Sequence, residues 1–202
     1  MKIGFLGAGQ VAQTIARHVL PLGHEVVLSN TRGPQSLQVL VKELGAGTSA
    51  GTPQQAAEQD IVVLAVMWPA VQAALSSVPD WSGRILVDAT NRLPRSNTLS
   101  PGDLPERTSS EIVADLAPGA RVVKAFNSVP MAWIADTSSS KPNTVLFVSG
   151  DDQHAKQPVL DLVQESGLCG IDLGSLRTGG GLQQLGGPLA GIRLTAGERF
   201  TS

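Results

Sequence analysis

One cysteine, no tyrosine and few aromatic residues of any kind set the first limits on this chain of 202 residues. A lone Cys169 can close no disulfide within the chain, so a reducing, cytoplasmic setting is expected, with the thiol a buried packing group in the apolar segment Leu168 to Leu173. Aromatics make up 3% of the residues while hydrophobics make up 42%, so the core has to be built from Val, Leu, Ile and Ala. That palette suits parallel strands covered on both faces. No apolar run approaches the roughly 18 residues of a membrane span, and a chain that begins directly on a strand-like run is not expected to carry a signal peptide. A net charge of −2 with no block of like charge excludes a nucleic-acid footprint. His18, His24 and His154 are scattered without metal-ligand spacing, and solvated or capping roles are expected for them. Neither a Gly-x-Ser-x-Gly elbow nor a Gly-x-x-x-x-Gly-Lys-Ser/Thr phosphate loop is present.

What is present is concentrated at the amino end. Met1 to Leu6 is an apolar run of strand length, Gly7-Ala8-Gly9-Gln10-Val11-Ala12 follows at once, and Val11 to Leu22 keeps helical spacing. Strand, glycine turn and helix in that order are the context in which Gly-x-Gly-x-x-Gly/Ala binds a dinucleotide. Gly7 permits the turn, Gly9 lets a pyrophosphate approach the backbone, and Ala12 lets the helix pack close to the strand. The free amides and dipole of the helix start then favour an anion.

The second predicted strand, His24 to Ser29, ends in Asn30-Thr31-Arg32-Gly33. An NAD-selective chain places an acid at this end to bond the ribose 2′-hydroxyl, but the nearest one, Glu25, lies at the entry end. Two small hydrogen-bonding side chains and a guanidinium instead suit a 2′-phosphate, so NADP(H) is the expected cofactor.

The rest of the chain continues the alternation. A helix from Pro34 to the glycines at Gly45, a short edge strand Thr48 to Gly51 and a helix Thr52 to Glu58 precede Ile61 to Val66, an all-apolar run suited to the middle of a parallel sheet. Val66, Met67 and Trp68 stand at its carboxyl end, where open α/β sheets bind ligands. Trp68 either walls the ligand or packs ahead of a helix Pro69 to Val78. The strand Ile85 to Val87 ends in Asp88-Ala89-Thr90-Asn91, placing Ala89, Thr90 and Asn91 at the nicotinamide end. Asp88 is either a catalytic acid or, the reading favoured, a partner for backbone amides or a nearby cation. Arg92 to Arg107 is a long polar loop of a kind that often closes over a site. Thr108-Ser109-Ser110-Glu111 reads as a capping box opening a helix to about Leu116, and the strand Arg121 to Phe126 ends in Asn127. Lys124 on that strand faces the site or pairs with Asp88, and pairing is favoured. A strand Thr144 to Val148, a helix ended by Gly167 and a last strand Leu168 to Leu173 follow. The glycine-rich tail from Thr178 to Ala196 keeps Leu182, Leu185, Leu189 and Ile192, as a broken helix lying across the site or a partner subunit would.

The series Gly-x-Gly-x-x-Ala, Ser29-Asn30-Thr31-Arg32, Met67-Trp68-Pro69, Asp88-Ala89-Thr90-Asn91 and Lys124-Ala125-Phe126-Asn127 resembles the deazaflavin-dependent NADP oxidoreductase family, to which the cytoplasmic domain of the STEAP metalloreductases is related. The resemblance runs from residue 1 to about 173 and implies an α/β fold. That fold is a Rossmann-type doubly wound, mainly parallel sheet with extra C-terminal strands and a helical tail, forming a single NADP-binding domain over 1–202 with its core in 1–173. It implies a homodimer and a hydride passed directly between NADP(H) and a deazaflavin, flavin or other small acceptor, with no acid–base triad. Carried across, Gly7 to Ala12 hold the pyrophosphate and Asn30, Thr31 and Arg32 the 2′-phosphate. Met67 and Trp68 line the adenosine-to-ribose path, and Thr90, Asn91 and Asn127 surround the nicotinamide. The tail departs from the family pattern. The alternative function is a non-catalytic NADPH-binding sensor or scaffold. A reductase resembling pyrroline carboxylate reductase would need a helical dimerisation domain for which too few residues follow.

Overall fold

A computed structural model describes residues 1–92, 106–135 and 144–196. One sheet of eight strands organises them: β1 (Lys2–Leu6), β2 (Glu25–Ser29), β3 (Thr48–Ala50), β4 (Ile61–Leu64), β5 (Ile85–Asp88), β6 (Arg121–Lys124), β7 (Val145–Gly150) and β8 (Cys169–Asp172). Their spatial order is β3-β2-β1-β4-β5-β6-β7-β8. The first six are parallel, whereas β7 runs antiparallel to β6 and β8 parallel to β7. Helices α1 (Gln10–Val19), α2 (Gln38–Leu44), α3 (Pro53–Ala57), α4 (Val71–Ser76), α5 (Ser109–Leu116), α6 (Gln153–Glu165) and α7 (Thr178–Gln183) complete the fold. This is the doubly wound arrangement of a Rossmann-type sheet, and its order reverses between β1 and β4, which opens a crevice at their carboxyl ends.

Both faces of the sheet are apolar, as the strand composition requires. Ile3, Phe5, Val63 and Val87 share one core with Ala12, Ile15 and Ala16 of α1 and Val159, Leu162 and Val163 of α6. Leu64, Val62 and Leu86 share the other with Ala56, Leu75, Trp81 and Val113. Gly4 allows the second layer to sit so close, because a Cβ there would lie 1.7 Å from the Ala56 carbonyl oxygen.

Several expected boundaries shift. The helix read as Val11 to Leu22 ends as α1 at Val19 and continues as a 3-10 turn, Leu20–Leu22, that holds Pro21. The helix read from Pro69 is a 3-10 turn at Trp68–Ala70 followed by α4. The strand read to Val66 leaves the sheet after Leu64, and the one read to Phe126 leaves after Lys124. His18 is not solvated: it is buried, and its Nε2 bonds the Ile134 carbonyl. Cys169 is half-buried on the edge strand β8 rather than enclosed. Most of the loop Arg92 to Arg107 lies outside the described residues. Among the described residues no helix is long and apolar enough to cross a membrane.

Candidate dinucleotide site

The glycine turn connects β1 to α1 where the sheet order reverses. Gly7 has φ +107°, a conformation open to glycine, and donates its N–H to the Ser29 carbonyl at 3.0 Å. A Cβ on Gly7 would stand 2.3 Å from the Ala65 carbonyl oxygen, so the fold itself demands this glycine. Gly9 differs. It is the N-cap of α1, at φ −80° and ψ −168°, and a Cβ there would meet nothing within 4 Å. Glycine at this point is required by no neighbour among the described residues, as in a turn that admits a phosphate against its backbone. Gln10 and Val11 form the first turn of α1, and Ala12 is fully buried against β1.

Beside this turn lies a cleft of about 540 Å³. Ala8, Gly9 and Gln13 form one wall, Asn30, Thr31, Arg32 and Ser36 the floor, and Val39, Leu40 and Glu43 of α2 the other wall. Its size falls in the ordinary range for small-molecule sites. The floor is built by Asn30, whose Oδ1 accepts the Arg32 N–H at 2.9 Å and whose Nδ2 donates to Ser36 Oγ at 3.0 Å. Ser36 in turn donates to the Gly33 carbonyl at 2.7 Å. Asn30 therefore folds the corner, while the exposed Thr31 and Arg32 keep their polar side chains available to an anion. No carboxylate among the described residues forms an ion pair with Arg32. The cleft thus offers a guanidinium, a hydroxyl and the open backbone at Gly9 to an anionic ligand.

At the middle of the crevice, Val66 and Trp68 are half-buried and Met67 is exposed. Trp68 packs on the second core and also carries the Arg92 guanidinium 6.0 Å above its ring. Both roles expected of it, wall and packing, are compatible with that placement.

The far end is closed and buried. Lys124 and Asp88 are fully buried and form a 3.1 Å ion pair. Asp88 also accepts from the Thr90 N–H at 2.9 Å, Thr90 Oγ1 at 2.6 Å and Ser110 Oγ at 2.6 Å. Burial pushes the Asp88 carboxyl up, but the Lys124 ammonium, the Ser110 and Thr90 hydroxyls and the Thr90 amide outweigh it, holding the group below the usual carboxylate range. Lys124 Nζ spends its remaining donors on the Thr90 carbonyl and Ser109 Oγ, each at 3.2 Å. The structural role favoured for both residues from sequence is what the geometry shows.

Asn127 is buried and equally committed. Its Nδ2 donates to Asn91 Oδ1 at 3.2 Å and to the Gln183 carbonyl at 2.9 Å, and its carbonyl accepts from Asn91 Nδ2 at 2.9 Å. The orientation depends on Phe126, whose φ of +60° is the one positive value of a non-glycine among the described residues. Such a conformation costs about 1–3 kcal/mol and persists only where its surroundings impose it. Thr90 and Ala89 are buried, so Asn91, half-buried, is the residue of this group that reaches the crevice surface. The expected nicotinamide residues are thus brought together, with Asn127 and Thr90 supporting Asn91.

Local sequence did not reveal Gln13, Ser36, Ser109, Ser110 or Gln183. Gln183 is completely buried, donates to the Lys124 carbonyl at 3.1 Å and to Asn127 Oδ1 at 3.0 Å, and accepts from Ser149 Oγ at 3.0 Å. It enters the site because α7 lies flush on the chain's own β7: a Cβ on Gly179 would be 2.5 Å from both the Leu173 carbonyl oxygen and Ser149 Oγ. The glycine run of the tail is the signal that pointed there. Among the described residues no group of three or more His, Cys, Asp or Glu is placed to hold a metal ion.

The family model described as NADP oxidoreductase, coenzyme F420-dependent, matches residues 2–92. A crystal structure of a hypothetical protein from Sinorhizobium meliloti is 36% identical, with a TM-score of 0.87, covering 98% of this chain and 97% of that one. One carrying the name of an F420-dependent NADP-reductase, from Arthrobacter sp. FB24, is 29% identical, with a TM-score of 0.73, covering 87% and 86%. The chain thus resembles the F420-dependent NADP oxidoreductase family, over residues 2–92 by the family model.

The chain has the Rossmann-type fold of these NADP-dependent reductases. It is also similar to the metalloreductase STEAP3 of Rattus norvegicus, at 27% identity over 175 residues, 87% of this chain and 34% of that protein. The chain spans about a third of the length of the curated relatives it matches.

Proposed function

We propose that this protein transfers a hydride directly between NADP(H) and a flat heteroaromatic acceptor, a deazaflavin or a flavin. The observation that carries this reading is the neutralised far end of the crevice. Asp88 and Lys124, the ionisable groups built into it, spend their hydrogen-bonding capacity on each other and on neighbouring hydroxyls and backbone. A direct hydride transfer between two stacked rings needs orientation and exclusion of water rather than a protein acid. Gly7 to Ala12 would hold the pyrophosphate, and Thr31 and Arg32, on the corner folded by Asn30 and Ser36, the 2′-phosphate. Val66, Met67 and Trp68 would line the path between, and Ala89, Thr90, Asn91 and Asn127 would frame the nicotinamide. The bound cofactor supplies the hydride, and the chain supplies the two ends of its cradle.

The name of the matched family supports a deazaflavin, and its members' direct transfer needs no further group from the chain. The residues 1–202 serve as a single NADP-binding unit, cytoplasmic in setting, and pair as a homodimer through the tail, where Leu182, Ile192 and Leu194 are exposed. Steady-state NADPH oxidation with a deazaflavin, FMN, FAD and a cyclic imine checks the acceptor class. Turnover with the tricyclic rings and not with the imine is expected. Turnover with the imine alone would reject the proposal, and tight NADPH binding without any turnover would favour a sensor.

A further inference from the structure

The network around Lys124 and Asp88 has a geometry that stability does not explain. A fully buried ion pair costs several kcal/mol of desolvation per ion and is often matched or bettered by apolar residues of the same volume. Its partners, however, come from segments far apart in sequence that meet at the far end of the crevice. The Thr90 N–H and hydroxyl fix the corner after β5, at 2.9 and 2.6 Å from Asp88. Ser109 and Ser110 fix the start of α5 by bonds to Lys124 and Asp88 at 3.2 and 2.6 Å. The Lys124 carbonyl accepts from Gln183 of α7 at 3.1 Å, and the Ser109 N–H donates to Gln184 Oε1 at 3.1 Å. Two segments distant in sequence are tied by the pair's side chains and a third by the backbone beside them, and the one residue of the set that faces the crevice, Asn91, stands on that frame through Asn127.

We propose that the Lys124–Asp88 pair is the positioning device of the nicotinamide end: its side chains join the β5 corner to the start of α5, and the tail helix α7, bonded to the backbone of Lys124 and Ser109, closes on that frame as one wall that orients the pyridine ring. The proposal rests on the cofactor reading above and concerns only one half of the cofactor. Neither residue touches the cofactor, so both act through Thr90, Asn91 and Asn127. Removing the pair should leave the 2′-phosphoadenosine corner intact, since Arg32, Ser36 and Gly9 belong to the opposite arm of the sheet and bond none of these groups.

The test compares two ligands, NADPH and 2′-phospho-ADP-ribose, which lacks the nicotinamide, on three proteins. These are the wild type, Asp88→Asn, and the double variant Lys124→Met with Asp88→Asn, in which no charge is left buried without a partner. Circular dichroism confirms folding, titration gives both dissociation constants, and the fluorescence of bound NADPH reports the surroundings of its dihydropyridine ring. The proposal expects the fragment to bind all three proteins alike. In the variants the advantage of NADPH over the fragment should fall about tenfold, and the fluorescence change on binding should diminish. A merely structural pair would instead lower thermal stability and leave the affinity ratio and the fluorescence as in the wild type, which would overturn the proposal. Equal weakening of both ligands would also overturn it. Failure of the wild type itself to bind the fragment would overturn the cofactor reading first, and this inference with it.

Discussion

The two glycines of the turn, two residues apart, should respond in opposite ways to one added methyl group. In Gly7→Ala the new side chain would sit on a backbone at φ +107° and meet the Ala65 carbonyl oxygen at 2.3 Å and Val66 Cγ1 at 3.1 Å. A left-handed conformation costs an alanine about 1–2 kcal/mol. The contact with Ala65 is to backbone of β4's exit and cannot be relieved by a rotamer, so the total should reach about 2–4 kcal/mol. For a chain of this length that is a fall in Tm of roughly 5–15 °C. In Gly9→Ala the methyl group enters empty space at ordinary backbone angles, so stability should change by less than about 1 kcal/mol and in either direction.

Binding should follow the reverse order. A methyl group at Gly9 occupies the approach to the first amides of α1. Losing one hydrogen bond from backbone N–H to a charged phosphate costs about 1.5–3 kcal/mol, which is about 10- to 100-fold in the dissociation constant of NADPH. Differential scanning fluorimetry of both variants, with and without NADPH, reads stability and affinity together, because a ligand that binds only the folded state raises Tm with its occupancy. A Gly9→Ala protein as stable as the wild type that still binds NADPH equally well would refute a pyrophosphate at this turn.

At the adenosine corner, Arg32→Ala should weaken NADPH about tenfold or more while leaving NADH nearly unchanged, as read by titration; parallel loss of both coenzymes would exclude Arg32 as the 2′-phosphate partner. Asp88 has a depressed carboxyl in the fold, so its contribution to stability is complete above the unfolded value of about 4 and is lost as pH falls through the lower folded value. Urea midpoints measured from pH 6 to pH 3 should therefore decline less steeply in Asp88→Asn, and superimposable acid limbs would show that the pair does not carry this dependence. In the tail, Gly179→Ala should cost about 2–4 kcal/mol by lifting α7 off β7, whereas Gly181→Ala, whose nearest new contact is Thr108 Cγ2 at 3.8 Å, should cost little. Similar losses in both would mean that α7 does not lie flush on the sheet.

How far each part was legible depends on how local its cause is. Strand, turn and α1 follow from a run of neighbours, so their order and the roles of Gly7 and Ala12 were readable. The Thr108 capping box was equally local and forms as expected, Thr108 Oγ1 accepting the Glu111 N–H while the Glu111 side chain takes the Thr108 N–H. Asp88 and Lys124 lie on strands that pair in register, Asp88 opposite Lys124, so a pair was foreseeable once β5 and β6 were adjacent. Gln183 gave no such cue, because its three partners come from β6, Asn127 and β7. Phe126 gave none either: no side-chain pattern announces a left-handed turn at a phenylalanine. His18 was misjudged because a helix surface position carries no record of the turn at Met131–Trp133 that covers it. Strand ends moved by a residue or two for the related reason that hydrogen bonding to a neighbour, not composition, decides where a strand stops.

The two ends of the crevice are built on opposite principles, and this limits where acceptor selectivity can reside. The adenosine end is an exposed corner in which Arg32 and Thr31 remain available, so substitutions there should change affinity more than folding. At the end proposed for the nicotinamide, Lys124, Asp88, Thr90, Asn127 and Gln183 are buried and bond one another. Such a closed network can orient a ring but cannot read the chemistry of a second molecule, because a buried group that turned toward an acceptor would abandon a partner at a cost of about 1–3 kcal/mol. Discrimination between one acceptor and another must then come from the rim. Among the described residues that rim is the side chain of Asn91, the exposed Met67 and the Trp68 ring with Arg92 above it. An aromatic face, a guanidinium plane and a flexible thioether favour stacking on a broad flat molecule over gripping a small aliphatic carbonyl, which is the physical reason for proposing a tricyclic acceptor rather than an imine.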